Sequence, residues 1–311
     1  MMEQLYQRDI YGQALVELGR RRQDIIVLDA DLSSSTRTGL FAKEFPERFF
    51  NFGVAEQNMM AAAAGIASCG KTVFVSTFAI FAAGRAWDQV RNTVAYNNFN
   101  VKIVATHAGI TVGPDGASHQ ALEDIALMRV IPNMRVVVPC DGPQAREAVL
   151  AAAEEPGPFY IRLGRPKVPT VENKGAFRLG HAQVLAGGAD AAIIACGVMV
   201  QEALLASANL AKKGVKARVI NMHTIRPIDE KAVIAAARQA KALVVCEEHT
   251  VTGGLCSAVD EVVAENSPLP VRRIGVKNRF GQSGEPQELM KEYSLTSADI
   301  EAAVLEVLPS P

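Results

Sequence analysis

Short apolar runs, each followed by a stretch with helical spacing, recur along the whole chain. Runs rich in Val, Ile and Ala are typical of buried strands, and the longer Ala-rich stretches between them are typical of helices. In the first half the pattern predicts strands at 24–30, 72–76, 101–106, 135–139 and 159–163, and helices at 9–22, 61–68, 84–97, 121–128 and 142–154. In the second half it predicts strands at 190–196, 216–220, 242–246 and 271–274, separated by helical stretches.

This alternation of strands and helices predicts an α/β fold with parallel sheets. The prolines, glycines and mixed charges of residues 166–180 are typical of a linker. We therefore predict a first domain at 1–165, a linker at 166–180 and a second, smaller α/β domain at 181–311.

Residues 49–81 bring together an acid and two aromatic rings. Glu56 falls at the start of a predicted helix, and Phe78 and Phe81 fall at the exit of the next strand. Ligand sites of parallel α/β sheets lie where strands end and helices begin, so these side chains can converge on one crevice. A flat heteroaromatic cofactor could stack there and share a proton with the acid. On the residues alone, a helix first-turn carboxylate and two core rings are the simpler interpretation.

Residues 65–72 fit the GxxxxGK[ST] pattern of a phosphate-binding loop. That loop needs a strand before it and a helix after it, so that backbone N–H groups face the phosphate. Here the predicted order is reversed, with a helix at 61–68 and a strand at 72–76. We therefore interpret Gly70 and Lys71 as the end of a helix and do not expect an NTPase.

Further functional groups follow other strands. The loop at 107–120 carries His107, Asp115 and His119 among three glycines and a proline. A surface loop without function could hold the same residues, so spacing alone leaves both interpretations open. Two arginines, Arg162 and Arg165, lie at the end of the strand at 159–163, and either could clamp a phosphate or simply face solvent.

A polar turn follows the first strand and contains Asp31 and Ser35. The serines and threonine of this turn suit helix capping, which is the simpler interpretation for each of them. Because the turn leaves a buried strand, it also belongs to the edge of the sheet where ligands bind.

Composition excludes several classes of function. A net charge of −1 gives no general attraction to nucleic acid or anionic membranes, and no apolar run reaches the length of a membrane span. The N-terminus lacks the apolar core of a signal peptide. The five cysteines are scattered without CxxC spacing, which favours buried thiols in a reducing cytoplasm, and the five histidines show no metal-ligand spacing.

Two stretches of the first domain resemble the transketolase family. FGVAEQ at 52–57, followed by an Ala-rich helix and STFAIF at 76–81, looks like the pyrimidine-binding domain of transketolases. THAGITVGPDGASHQ at 106–120 is similar to a second family segment, with matching spacings of eight between His107 and Asp115 and four between Asp115 and His119. Ala108, Gly109 and Ala117 depart from the usual transketolase residues, and deoxyxylulose-phosphate synthases share the first two.

The resemblance implies thiamine diphosphate as the cofactor and a role for each site residue. Glu56 would donate a proton to the pyrimidine nitrogen. Phe78 and Phe81 would form the walls around the aminopyrimidine ring, and Asp31 would lie near the cofactor. Asp115 would contact a hydroxyl of the donor sugar and His119 its carbonyl oxygen. The residues implied to bind the sugar phosphate are Arg8, Ser35, His107 and Arg165.

The second half resembles the C-terminal domain of the family, notably in TIRPID at 224–229. In the family this domain usually supports dimerisation rather than chemistry. The resemblance covers nearly the whole chain, but only the second half of a full-length transketolase. The family holds the cofactor diphosphate and its Mg²⁺ or Ca²⁺ through a GDG segment and an Asn, and no GDG occurs here.

The resemblance therefore implies a separate partner chain similar to the N-terminal half, in a 2:2 assembly. The expected activity is transfer of a two-carbon ketol unit between a ketose phosphate and an aldose phosphate. A deoxyxylulose-phosphate synthase-like chain and a 2-oxoacid dehydrogenase β chain are the alternatives, although Asp115 with His119 argues against the latter. A non-catalytic subunit that only stabilises a partner enzyme is a further alternative.

Overall fold

The protein forms two α/β domains that share part of their core. The structure is a computed structural model and describes residues 3–172 and 175–308. Its strands are β1 (Gln4–Tyr6), β2 (Ile25–Asp29), β3 (Phe49–Asn51), β4 (Thr72–Phe78), β5 (Val101–Thr106), β6 (Arg135–Val137), β7 (Phe159–Arg162), β8 (Lys167–Pro169), β9 (Gln183–Ala186), β10 (Ala191–Ala195), β11 (Ala217–Asn221), β12 (Thr224–Arg226), β13 (Leu243–Thr250) and β14 (Val271–Val276).

Helices connect these strands in both domains. The α-helices are α1 (Gln7–Arg21), α2 (Ser33–Thr36), α3 (Gly39–Glu44), α4 (Glu56–Ser68), α5 (Asp124–Arg129), α6 (Gly142–Glu154), α7 (Met199–Lys212), α8 (Glu230–Gln239), α9 (Leu255–Asn266), α10 (Pro286–Glu292) and α11 (Ser297–Val307). Pro46–Arg48 and Ile110–Asp115 form 3₁₀ turns, and Phe81–Arg85 and Gln89–Ala95 form π-helical segments. None of the helices within 3–172 and 175–308 combines the length and the apolar character needed to cross a bilayer.

The first sheet has seven strands in the order β12-β6-β7-β5-β4-β2-β3. All its neighbouring strands are parallel except β12 and β6. Strands β2, β4, β5 and β7 are buried along their whole length, because helices cover both faces of a parallel sheet. The second sheet has the order β14-β13-β10-β11-β9 and is parallel apart from its edge strand β9. The predicted two-domain α/β fold is therefore confirmed.

The two domains are joined more closely than a flexible linker requires. Strand β12 comes from the second half of the chain but completes the first sheet, where Thr224 pairs with Val137. One apolar cluster runs through both domains and includes Ile125 of the first and Leu255 of the second. The Thr250 N–H also donates to the Leu122 carbonyl at 2.8 Å. The relative position of the domains is thus fixed by buried contacts.

Several predicted elements differ from the structure. The segment at 166–180 includes strand β8, which pairs with β1 in a small antiparallel sheet, because the partner strand lies more than a hundred residues away and leaves no local pattern. Residues 173 and 174 of that segment, and the chain ends at 1–2 and 309–311, lie outside the described residues. The stretch at 84–97 is not one regular helix, since the Ala86 N–H bonds to the Phe81 carbonyl and the Tyr96 N–H to the Arg91 carbonyl, five residues back.

The order of elements around residues 65–72 agrees with the prediction. Helix α4 ends at Ser68 and strand β4 begins at Thr72, so no helix N-terminus follows this glycine-containing turn. Gly70 has a φ of +81°, in the left-handed region that suits the end of a helix. The turn therefore lacks the geometry of a phosphate-binding loop.

Lys102 is a fully buried cation in the middle of the first sheet. Its Nζ donates to the carbonyl oxygens of Glu155 at 2.6 Å and Gly157 at 2.7 Å and lies 4.4 Å from the centre of the Phe159 ring. Burial, helped by the nearby Arg135 charge, lowers the pKa of Lys102 to about 7. The side chain ties the end of α6 to the sheet in either protonation state.

Replacement of this cation tests its structural role. Lys102→Met removes the donor to the buried Gly157 carbonyl and to the partly buried Glu155 carbonyl, so we expect a loss of about 1–3 kcal/mol of unfolding free energy, mainly from the Gly157 carbonyl. The unfolded chain binds more protons than the folded one between the folded pKa of about 7 and the usual 10.5, so wild-type stability should rise with pH across this window. Urea unfolding at several pH values measures both effects.

The matched control is Lys71→Met, because Lys71 is an exposed lysine directly before β4, the strand that pairs with β5. We expect it to unfold like the wild type at every pH. A Lys102→Met variant with wild-type stability and an unchanged pH dependence would contradict this account of the buried amine.

Candidate functional site

The candidate site lies at the carboxyl edge of the first sheet, where its parallel strands end. Phe78 is the last residue of β4, His107 directly follows β5, and Arg165 follows β7. Glu56 is the first residue of α4, which begins after β3. Because the strands are parallel and adjacent, residues far apart in sequence reach one edge.

Glu56 is buried and is paired with an arginine that no sequence motif indicated. Its side chain is 1% exposed, and both its carboxylate oxygens accept from Arg85 Nη1 at 2.9 Å. The π-helical segment brings Arg85 back toward the start of α4. The guanidinium also lies 4.5 Å from the centre of the Phe81 ring. A basic residue four positions after Phe81 was the only trace of this contact in the sequence.

Four predicted site residues form an aromatic cluster. The rings of Phe78 and Phe81 are nearly parallel, with centroids 6.1 Å apart and an interplanar angle of 14°. The His107 ring stacks on Phe78 at 3.9 Å, and the His119 ring meets Phe81 edge-on at 5.5 Å. The structure therefore places the two rings that were expected to converge with Glu56 next to both histidines of the loop at 107–120.

His107 is a neutral hydrogen-bonding group. Its Nε2 lies 3.4 Å from Arg8 Nη1 and its Nδ1 lies 2.9 Å from Thr106 Oγ1. Because a guanidinium only donates, Nε2 accepts and the ring proton belongs on Nδ1, which donates to Thr106. Burial and the charges of Arg8 and Arg165 lower the pKa of His107 to about 3. The resemblance implies a phosphate-binding residue here, and the structure places an uncharged ring with a left-handed φ of +56°.

Two arginines line a cavity of about 330 Å³ beside His107. Arg8 and Arg165 share this cavity with Thr111 of the loop and with Glu285 of the second domain. Burial, together with the positive charges of Arg37 and Arg165, lowers the pKa of Arg8. An anion in the cavity would relieve this repulsion between cations. Arg8 Nη1 also lies 3.4 Å from the Ser35 carbonyl oxygen, so the predicted phosphate ligands are neighbours.

The structure separates the roles of Arg162 and Arg165. Arg162 is buried, and its Nε donates to Asp124 Oδ2 at 2.8 Å while its Nη2 donates to the Ala121 and Glu248 carbonyls. Arg165 donates to the Val112 carbonyl and faces the cavity. The geometry therefore favours Arg165 over Arg162 as the phosphate ligand.

Asp115 and His119 lie at the mouth of the site. Asp115 is exposed and His119 is half-buried, with its Nδ1 3.0 Å from Ser118 Oγ. Three glycines of this loop, at 109, 113 and 116, have positive φ, which explains why the sequence favours no regular element here. Both side chains are accessible to a ligand that enters from solvent.

The turn after β2 is organised by an acid at the end of the strand. Asp29 is buried and accepts from the Leu32 N–H and from the hydroxyls of Thr36 and Thr38, and burial raises its pKa. It takes the capping role that was expected of the serines and threonine. Asp31 itself is exposed, has a φ of +63° and accepts from Asn51 Nδ2 at 3.2 Å.

Comparisons with known proteins agree with this arrangement. The family model of the transketolase pyrimidine-binding domain matches residues 3–170, and that of the transketolase C-terminal domain matches residues 180–300. A solved structure titled "Split gene transketolase, inactive beta4 tetramer" superimposes with a TM-score of 0.91 at 52% identity and covers 98% of each chain.

Curated relatives fall into two groups by length. The chain is 49% identical to a putative transketolase C-terminal section of Methanocaldococcus jannaschii, over 95% of this chain and 94% of the relative. It is 42% identical to a 6-deoxy-6-sulfo-D-fructose transketolase subunit of a Clostridium species, over 98% of this chain and 95% of the relative. It is 38% identical to human transketolase over 96% of this chain, which corresponds to only 48% of the human protein.

Both domain models and the relatives point to the same family that the segments at 52–57, 76–81 and 106–120 indicated. The chain belongs to the transketolase family, of which it comprises the pyrimidine-binding and C-terminal domains.

Proposed function

We propose that this chain is the C-terminal subunit of a thiamine-diphosphate-dependent transketolase that works with a separate N-terminal subunit. The observation that carries the proposal is the buried Glu56, which Arg85 links to the Phe78–Phe81 pair, at the same sheet edge as two cavity-lining arginines. Relatives of the same length are named as a transketolase section or subunit, which supports a native division into two chains. We expect a 2:2 assembly in a reducing cytoplasm, where the five cysteines stay unlinked by disulfides.

The residues present fit the aminopyrimidine end of the cofactor. The Arg85 guanidinium is itself a planar group that hydrogen-bonds to Glu56 and stacks on Phe81. These are the two contacts that an aminopyrimidine ring would need from this chain. Since 47% of the Arg85 side chain is exposed, it can turn toward solvent when the ring takes its place.

The bound cofactor supplies the carbanion chemistry of ketol transfer. Glu56 would hold and donate a proton at the pyrimidine nitrogen, in a site where its own burial excludes water. Phe78 and Phe81 would hold the flat ring by stacking. We assign the diphosphate and its Mg²⁺ or Ca²⁺ mainly to the partner subunit.

The sugar would lie between the loop and the arginine cavity. Asp115 and His119 would hydrogen-bond the hydroxyl and carbonyl oxygens of the donor, and His119 could transfer a proton. Arg8, Arg165 and Ser35 would bind the terminal anion, and neutral His107 would keep Arg8 in place. A guanidinium pair binds any tetrahedral oxyanion, so a phosphate and the sulfonate suggested by the Clostridium relative's name both suit this cavity.

Reconstitution tests the proposed activity. This chain, a candidate N-terminal subunit, Mg²⁺ and thiamine diphosphate should convert xylulose 5-phosphate and ribose 5-phosphate into a seven-carbon ketose phosphate and a three-carbon aldose phosphate. Either subunit alone should be inactive, because each holds part of the cofactor. Release of CO₂ from pyruvate without sugar transfer would instead support the deoxyxylulose-phosphate synthase-like or dehydrogenase alternative.

The proton role of Glu56 gives a second prediction. Glu56→Ala should lower kcat about 10²- to 10⁴-fold, because a positioned general acid or base typically accelerates a reaction by this factor. Assembly should remain, as judged by co-elution with the partner subunit. Glu265→Gln, at an exposed position in α9, is the control and should keep wild-type rates. Wild-type rates in Glu56→Ala would rule out the role.

Arg165 gives a third prediction. Arg165→Ala removes a charge-assisted contact to the terminal anion, worth about 1.5–3 kcal/mol, so KM for the ketose phosphate should rise roughly 10- to 150-fold. A ketose donor without a phosphate should show an unchanged KM, which separates anion binding from general damage to the site. Equal losses with both donors would contradict the assignment.

A further inference from the structure

The loop that carries Asp115 and His119 is held by the second domain. Glu248, at the end of β13, accepts the Thr111 N–H through its Oε1 at 2.6 Å. Near the other end of the loop, Gln120 Nε2 donates to the carbonyl oxygen of Gln282 at 2.9 Å. The two contacts bracket the segment that presents Asp115 and His119.

The loop backbone also lies directly against these elements of the second domain. A Cβ atom at Gly109 would fall 2.3 Å from the carboxyl carbon of Glu248, and one at Gly116 would fall 2.6 Å from Ser283 Oγ. Both glycines have positive φ, so no other residue could follow the same path without strain. The shape of the loop is thus fitted to the second domain.

A buried ion network reinforces this contact. The Glu248 side chain is buried, and Arg162 Nη1 lies 3.9 Å from its Oε2. The same guanidinium donates to the Glu248 carbonyl at 2.9 Å and to the Ala121 carbonyl at 3.2 Å, directly after the loop. Removing one member of such a network leaves a buried charge or donor without its partner. Arg162 therefore links the residue that follows the loop to the end of β13.

We propose that the second domain positions the substrate loop of the site, with Glu248 and the 281–283 segment as the positioning elements. The inference rests on the proposed function for its catalytic consequence. It assigns to this domain a part in catalysis in addition to the dimerisation expected from the family. Asp115 is exposed and His119 is half-buried, so the contacts of the loop backbone with the second domain help to place both side chains. A displacement of about 1 Å of such groups can cost roughly a hundredfold in rate.

Glu248→Ala tests the first contact, with Glu247→Ala as the matched control. Glu247 is an equally buried acid one residue earlier, but it accepts from the Leu255 and Cys256 N–H groups within the second domain. In the reconstituted enzyme, Glu248→Ala should lower kcat/KM for the donor about 10- to 100-fold and leave the apparent affinity for thiamine diphosphate unchanged. Glu248→Gln should restore most of the rate, since an amide oxygen can still accept from Thr111. Glu247→Ala should lower thermal stability and keep the wild-type rate.

Gly281→Ala tests the second contact without removing a buried charge. The new Cβ would fall 1.8 Å from Gln120 Oε1, so Gln120 must move and give up its bonds to the carbonyls of Ile110, Gly113 and Gln282. Gly281 lies in a half-buried loop, which makes a folding defect unexpected. The control is Gly187→Ala, where a Cβ would meet no atom within 4 Å.

Hydrogen exchange on the isolated chain gives a readout that does not depend on activity. Peptides covering 109–120 should exchange faster in Glu248→Ala and Gly281→Ala than in wild type, and should be unchanged in Gly187→Ala. Wild-type exchange and wild-type kinetics in a folded Gly281→Ala or Glu248→Ala variant would overturn the proposal. If the wild-type mixture shows no ketol transfer, the proposed function fails, while the exchange data still decide whether the second domain holds the loop.

Discussion

Burial of four adjacent parallel strands on both faces is the constraint on which the rest of the structure depends. Strands β2, β4, β5 and β7 have no solvent-exposed face, so polar groups concentrate where these strands end. That edge receives Phe78 and His107 directly from strand ends. The Ala-rich α4 packs closely on the same layer and brings Glu56 into a site that excludes water. The burial of Glu56 at the same edge as the stacked rings is therefore a consequence of the sheet.

The second domain shares a sheet and an apolar core with the first. Its strand β12 extends the first sheet, and the apolar core continues across the domain boundary. Arg162 connects the two domains through Asp124 on one side and Glu248 on the other. An arginine that could have been a phosphate ligand by sequence thus serves to hold the domains together. Arg165, three residues later, lines the cavity. The two arginines thus differ because Arg162 is buried between the domains and Arg165 is not.

Sequence patterns predicted the elements that local periodicity determines. The strand at 101–106 and the helix at 142–154 have the predicted bounds, and Glu56 begins a helix as expected. The pairing of Arg85 with Glu56 was not predicted because it depends on a π-helical backbone, whose wider turn leaves no periodic pattern. The neutral state of His107 was missed because it depends first on burial and then on Arg8, a residue 99 positions away. Glu248 was missed for the same reason, since its contact with Thr111 spans 137 positions.

We propose that this chain supplies the pyrimidine half of a cofactor site that only a second subunit completes. Calorimetric titration of thiamine diphosphate with Mg²⁺ into this chain, into the partner subunit and into their equimolar mixture tests it most directly. We predict tight, saturable binding to the mixture and at most weak binding to either chain alone, because the aromatic pair and Glu56 would contact only one end of the cofactor. Equally tight binding to this chain alone, or no gain in affinity on mixing, would contradict it.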